Sequence, residues 1–223
     1  MLYIEIKKSR IIPDNLVLSV INNGSIFMET SKAIKERVSC RDFNTEEIPV
    51  EYVNLILEAA RQAPSPKNRQ PWKFLLLQNE KKEEFEKLIS IPQDSEDYIS
   101  PAAKKLNEWD SWKKSYECIK KSNMVVLVFN HYPSNFVLGK ENILFDITNL
   151  QAIGAAIQNM LLTATDLGIS SLWICDVFSH YQIICDRYYP NGQLVAAVAF
   201  GYTTKKPIKS TRKPLEQLLI KEV

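Results

Sequence analysis

A single mixed domain of helices and strands, closing in an extended basic tail, is the architecture this sequence predicts. Three observations predict it. Short apolar runs of strand length, of which Met124 to Phe129 is the cleanest, are interleaved with longer stretches of helical period. One stretch of helical length, Glu141 to Leu167, is apolar nearly all round and therefore belongs at the centre of the molecule, against a sheet or a second copy. A chain of 223 residues with 45% hydrophobic content can build one core, and no repeat, low-complexity tract or internal linker divides it.

The elements follow in order. Residues 1–30 carry no clear helical period; an added strand, an arm on a partner subunit and a stretch ahead of a start at Met28 are all open, and a peripheral arm is favoured. Thr30 or Ser31 is placed to cap a short helix through Glu36 with Ile34 inward. Pro49 opens a second helix, with Val50, Val53, Leu57 and Ala60 on one face, and Pro64 stops it. Lys73 to Gln78 reads as a strand, and Glu80 to Ile89 as an amphipathic helix using Phe85, Leu88 and Ile89. The polar stretch from Ile91 to Pro101 reads as loop. Ala102 to Lys121 reads as a charged helix carrying Trp109 and Trp112, and Met124 to Asn130 as a buried strand. Small residues such as Ala152, Ala155 and Ala156 let the long central helix approach its neighbours closely, and Gly168 sits where a terminating glycine belongs. Ser170 to Ile174 and Leu194 to Phe200 are strands, with a short helix, Tyr181 to Arg187, between them.

Composition removes several function classes. A formal net charge of +2 provides no global field for nucleic acid. The tail cluster of Lys205, Lys206, Lys209, Arg212 and Lys213 is short and has no interleaved aromatics, so a nucleic-acid patch is disfavoured against a solvated tail. Cys40, Cys118, Cys175 and Cys185 show no C-x-x-C spacing, and with only His131 and His180 beside them no zinc pattern can be drawn. The expectation is a reduced, cytoplasmic chain with no membrane partner: the apolar runs are too short to cross a bilayer, and Leu16 to Ile21 has no cleavage-like sequence after it. Six glycines include no G-x-G-x-x-G and no P-loop pattern, which argues against a separate nucleotide-binding domain.

Two stretches carry chemistry. In Arg37-Val38-Ser39-Cys40-Arg41, extended backbone projects Arg37, Ser39 and Arg41 to one side while Val38 and Cys40 face inward. Two guanidinium forks beside a hydroxyl match a phosphate monoester, whose oxygens accept paired N–H bonds. The alternative is a pair of surface arginines bridged to Glu36, Asp42 or Glu46. The second stretch, Pro64-Ser65-Pro66-Lys67-Asn68-Arg69-Gln70-Pro71-Trp72, is held irregular by its prolines and offers amides and a hydroxyl to a flat polar heterocycle. It also reads as a helix-to-strand turn anchored by a core Trp72, and both readings can hold. Together the two stretches suggest a site for flavin mononucleotide (FMN).

The chain resembles the nitroreductase family of FMN-dependent oxidoreductases from about Ser31 to Leu218. The resemblance rests on these two stretches together with Leu167-Gly168-Ile169 followed by Trp173-Ile174-Cys175, and Gly201-Tyr202 followed by Arg212-Lys213-Pro214, in this order. It implies an α+β fold with a mixed central sheet flanked by helices, as an intertwined homodimer binding FMN at each subunit interface. By the same resemblance Arg37, Ser39 and Arg41 hold the phosphate, the ribityl chain and the pyrimidine edge. Pro64, Ser65, Pro66 and Asn68 match the flavin-contacting loop, reaching across from the partner. Trp173 and Ile174 lie under one face of the ring, and the backbone N–H of Cys175 points at flavin N5. Arg212, with Lys213, returns to the phosphate.

Three departures stand out. Pro66 replaces a common serine, Asp176 replaces a frequent glycine beside the ring, and the Asn and Lys that some members use in the helix before Met124 find only Lys114 as a rough match. A nucleophilic role for Cys175 is disfavoured, since no histidine lies near it in sequence and nothing there lowers its pKa. The expected activity is reduction of electron-poor acceptors such as nitroaromatics or quinones, with NAD(P)H as transient reductant and no side chain assigned as catalytic. A specialised relative using reduced FMN for dehalogenation, enoate-type reduction or flavin fragmentation is the first alternative; a non-catalytic flavin-binding dimer is the second. The acceptor pocket is expected from His131 to Glu141 with parts of Tyr98 to Trp112. There Tyr132 and Phe136 either stack on a planar substrate or pack in the core.

Overall fold

A computed structural model describes residues 29–90, 108–133, 139–205 and 208–220. The expected N-terminal arm, the loop from Ile91 to Pro101 and the side chain of Trp109 fall outside the described residues. Helix α1 spans Thr30–Glu36 and α2 Val50–Arg61; strand β1 runs Trp72–Leu77. Helices α3 (Asn79–Ile89) and α4 (Glu108–Lys121) precede strand β2, Met124–Asn130. The long helix α5 covers Gly139–Asp166 and leads to β3 (Ser170–Ile174), α6 (Tyr181–Tyr188) and β4 (Gln193–Gly201). Short 3₁₀ turns lie at Pro66–Asn68, Asp176–His180 and Leu215–Gln217. Among the described residues no helix is long and apolar enough to cross a membrane.

The described strands form one sheet in the order β1-β2-β4-β3, with antiparallel ladders throughout. Its parallel element is a single bridge, Ser39 to Ser171, at the β3 edge. Strand β2 is buried at every position. Met124, Val126 and Val128 enter one core with α2 and α5, while Val125, Leu127 and Phe129 enter the other with α3, α4 and α6. A strand covered on both faces has no polar side to show, so this segment reads as an unbroken apolar run.

Helix α5 is the central element of the first core. Ile153, Ala156, Ile157 and Met160 face inward, and the Asn159 amide donates to the Ala59 carbonyl of α2 at 2.9 Å. The helix ends as its glycine predicts. Gly168 has φ 72°, and the Gly168 and Ile169 amides donate to the carbonyls of Thr165 and Ala164, closing the paired C-terminal bonds of a Schellman motif.

Two burial expectations are corrected. Helix α1 turns Ala33 inward and leaves Ile34 55% exposed. In α2 the buried stripe is Val53, Ile56 and Ala60, with Leu57 packed against it; Val50, in the first turn, is exposed. In α3, Lys82 joins Phe85 and Ile89 inside because its ammonium donates to the Lys120 carbonyl at the end of α4 and pairs with Glu86.

Gly201 has a steric reason to be glycine. A Cβ there would lie 2.9 Å from Cδ1 of Phe43 and 3.2 Å from its Cβ. Gly201→Ala is expected to lower unfolding free energy by about 1–3 kcal/mol through overpacking, read as a lower urea midpoint at unchanged slope.

Candidate functional site

The front motif is positioned by β3. The Cys40 amide donates to the Ser171 carbonyl at 2.9 Å, Cys40 is buried, and the Asn44 amide donates to the Tyr202 carbonyl at 2.8 Å. With Phe43 seated on Gly201, residues 37–44 run along the sheet edge. Arg37, Ser39 and Arg41 consequently line one cleft of about 430 Å³, and Arg212 from the tail lines the same cleft. Val38 departs from expectation: it is half-buried and also lines the cleft, so only Cys40 is fully inward.

Cation density is the cleft's main feature. Lys35 and Lys209 join the three arginines in its lining, Ser210 adds a second hydroxyl to that of Ser39, and among the described residues no carboxylate lines it. Bridging of the arginines to Glu36, Asp42 or Glu46 does not occur among the described residues. Asp42 instead pairs with Lys205 at 2.8 Å and Lys121 at 3.5 Å, and the Lys205 hydrogen bond holds its carboxyl below the ordinary range. The Arg212 guanidinium leans on its own tail, donating to the carbonyls of Ser210 and Thr211. Lys213 is exposed and does not line the cleft.

The Pro64 to Trp72 stretch is a shaped loop. Three of its non-glycine residues hold left-handed backbone: Lys67 at φ 53°, Asn68 at 52° and Gln70 at 50°. Such conformations cost about 1–3 kcal/mol each and persist only where surrounding bonds impose them. Here Ser65 imposes them, its hydroxyl accepting from the Gln70 amide at 2.9 Å and its carbonyl from the Asn68 amide at 3.0 Å. Pro66 occupies the first position of the 3₁₀ turn, where an amide donor has no intrahelical use, so the departure from serine removes no structural bond. Pro64, Pro66, Asn68 and Gln70 are exposed, while Trp72 is buried in the first core as the turn reading requires.

Within one chain the loop and the cleft stay apart. The loop leads into β1 and the cleft lies along β3, at opposite edges of the sheet, three strand spacings or about 14 Å across. The registers Trp72 to Asn130, Asn130 to Gln193 and Ile174 to Ala197 nevertheless put the start of β1 and the end of β3 toward the same end of the sheet.

At that end of β3, Trp173 and Ile174 point to opposite faces, as strand periodicity demands. Trp173 is 37% exposed, and a Cβ added at Gly154 of α5 would lie 3.8 Å from its ring edge. Ile174 is 3% exposed and packed in the second core beside Leu172 and Val177. The expectation that both side chains lie under a ring is corrected: Ile174 has only its main chain to offer. Asp176 is drawn toward α4, where its Oδ2 accepts from the Ser115 hydroxyl at 2.7 Å, and Lys114 is exposed on the same helix. Phe136 and residues 98–107 of the expected acceptor pocket lie outside the described residues; Tyr132 is described and 42% exposed.

The sequence reading missed Lys35, Lys209 and Ser210 in the cleft, although the charge cluster in the tail was a usable signal. It also missed Asn149. This residue is fully buried in α5 and accepts from Arg69 Nη1 at 2.6 Å; as one of five amide side chains on that helix, it carried no signal that set it apart.

These features coincide with a known family. The family model described as Nitroreductase family matches residues 34–202, and the chain belongs to it. Members of this family are oxidoreductases. Among curated relatives, the chain is 28% identical over 114 residues to Iodotyrosine dehalogenase 1 homolog of Caenorhabditis elegans, a match over 48% of this chain that spans a third (33%) of that protein. It is 23% identical over 208 residues to Iodotyrosine deiodinase of Nematostella vectensis, covering 86% of this chain and 74% of the relative. The solved structure of a protein described as a nitroreductase in complex with FMN, from Desulfovibrio desulfuricans, superposes with TM-score 0.63 at 25% identity, covering 88% of this chain and 98% of that one.

The cysteines yield a direct check. Cys40, Cys118 and Cys185 are buried and only Cys175 is exposed. Partial desolvation first, and the neighbouring Asp176 carboxylate second, push the Cys175 thiol above its ordinary pKa, against a hydrogen bond with Trp173. A raised pKa means less thiolate at neutral pH. A disulfide reagent should therefore label one thiol per native chain, more slowly at pH 7.5 than it labels free cysteine, with a rate that climbs above pH 9. Rapid labelling at neutral pH, or labelling that persists in Cys175→Ala, contradicts this.

Proposed function

We propose that this chain is an FMN-dependent oxidoreductase that takes electrons from NAD(P)H and delivers them to an electron-poor small molecule, working as a homodimer in the cytoplasm. The observation that carries the reading is the cleft in which Arg37, Ser39, Arg41 and Arg212 converge with no carboxylate among the described residues. A phosphate monoester fits that donor set: it needs several N–H and O–H donors and a net positive surround, and five cations with two hydroxyls supply both. FMN, when bound, would carry the two-electron chemistry, while the protein orients it and sets its potential.

The residues then have separate tasks. Arg37, Arg41 and Arg212, with Lys213 as an outer contributor, neutralise the phosphate, and Ser39 donates its hydroxyl. The main-chain N–H of Cys175 is a donor for a ring nitrogen that gains charge on reduction, by the logic of an oxyanion hole. Trp173 offers a flat apolar surface, with Ile174 contributing backbone. Pro64, Ser65, Pro66 and Asn68 form a preshaped rim. The sheet separates that rim from the cleft of its own chain, which favours a ligand shared between two copies.

An exposed apolar strip on α5, including Leu144, Ile147 and Leu150, is surface that a second copy would cover, as are Leu215, Leu218 and Leu219 of the tail. Four free thiols suit a reducing compartment. Reductive dehalogenation is the second reading, favoured by the two relatives named for iodotyrosine.

Purified protein is expected to be yellow, to bleach anaerobically with NADH or NADPH, and to recolour with a nitroaromatic or quinone. Recolouring with a halophenol and release of halide, in place of nitroaromatic turnover, selects the second reading. Yellow protein that neither nucleotide bleaches indicates another reductant or a binding role. Arg37→Ala or Arg41→Ala should weaken FMN by about ten- to a hundredfold, the value of one charge-assisted hydrogen bond, in a fluorescence titration of apoprotein. Protein that stays colourless with excess FMN defeats the proposal.

A further inference from the structure

Resting on that reading, we propose that Arg69 and Tyr132 form an acceptor subsite, held together by Asn149, for planar aromatic molecules that carry an anionic substituent. A hydrogen-bonded chain joins the flavin-rim loop to the start of the acceptor segment. Arg69 Nη1 donates to Asn149 Oδ1 at 2.6 Å, and Asn149 Nδ2 donates to the Tyr132 carbonyl at 3.3 Å. The Tyr132 amide in turn donates to Asn130 Oδ1 at 3.0 Å, and Asn130 Nδ2 to Gln193 Oε1 at 3.0 Å. Asn149 and Asn130 are both fully buried, so the backbone of Tyr132 is clamped from either side by amides that cannot move into water.

Three features define the ligand. Tyr132 is 42% exposed and its ring is backed edge-on by His131, with centroids 4.6 Å apart, so it offers a supported aromatic surface. The Arg69 guanidinium is half-buried, lies 4.1 Å from the centroid of the Phe145 ring, and has no ion-pair partner among the described residues. One of its five N–H donors is given to Asn149, which leaves others for a carboxylate or phenolate oxygen. A half-buried cation with no counter-charge among the described residues favours an anion, and the tyrosine tethered to it through Asn149 makes an aromatic anion the matching class. Arg69 and Tyr132 are specificity residues here, and Asn149 is a positioning residue.

The test is calorimetric titration of the purified flavin-loaded protein with 4-nitrobenzoate and with nitrobenzene, flavin content being read by absorbance on the same samples. The anion should bind about ten- to a hundredfold more tightly. Arg69→Gln should collapse that difference and Arg69→Lys should retain part of it. Asn149→Asp, isosteric but placing a carboxylate on the guanidinium, should also collapse it, which a purely structural role for Asn149 does not require. Equal affinities for the two ligands on yellow wild-type protein overturn this inference alone. Colourless protein overturns the flavin reading and this subsite with it.

Discussion

The pairing of residues 37–43 with the β3 edge is the constraint on which the rest of the candidate site depends. A single backbone bond, from the Cys40 amide to the Ser171 carbonyl, sets the register, and the contact between Phe43 and Gly201 locks it. Shifted by one residue, the segment would turn Val38 and Cys40 outward and bury Arg37, Ser39 and Arg41. Burying unpaired guanidiniums is far costlier than burying Cys40, so the alternation enforces its own register. The glycine before Tyr202 is thus linked to the arginine motif by a steric contact more than a hundred and fifty positions away in sequence.

Electrostatics then keeps the cleft available. Five cations in one lining repel one another, and an ordinary surface would relieve that by interposing carboxylates. Asp42, next in sequence to Arg41, is the obvious candidate, but it is engaged by Lys205 and Lys121. The arginines are left without a carboxylate partner among the described residues, and the resulting self-repulsion is the kind of local cost that functional sites carry. The Pro64 to Trp72 loop shows the same pattern in the backbone, with left-handed residues held by Ser65 so that its amides stay exposed.

On the proposed reading, the geometry of the sheet gives each chain half of a shared site. Loop and cleft lie at opposite edges, yet the start of β1 and the end of β3 face the same end. Two copies related by a two-fold axis could each offer the rim that the other lacks, and the apolar strip on α5 and the tail leucines are the surfaces such an arrangement would cover.

The order and kind of the described elements were legible in the sequence because they depend on local period and punctuation. The β2 run, the φ-positive stop at Gly168 and the short helix after residue 180 follow from residues a few positions apart. The convergence of Arg37, Ser39 and Arg41 was legible too, since alternation in extended chain is also local. What the tertiary structure decided were the facts set by distant neighbours. Ile34 and Val50 face out because the core contacts fall on other residues of their helices. Ile174 faces in because β3 is covered on that side, Asp176 turns away because Ser115 of α4 is there to donate to it, and Asn149 couples two loops that are eighty and seventeen positions from it. Hydrogen-bond and packing partners across such separations leave no periodic trace in one chain, so only the folded arrangement could assign them.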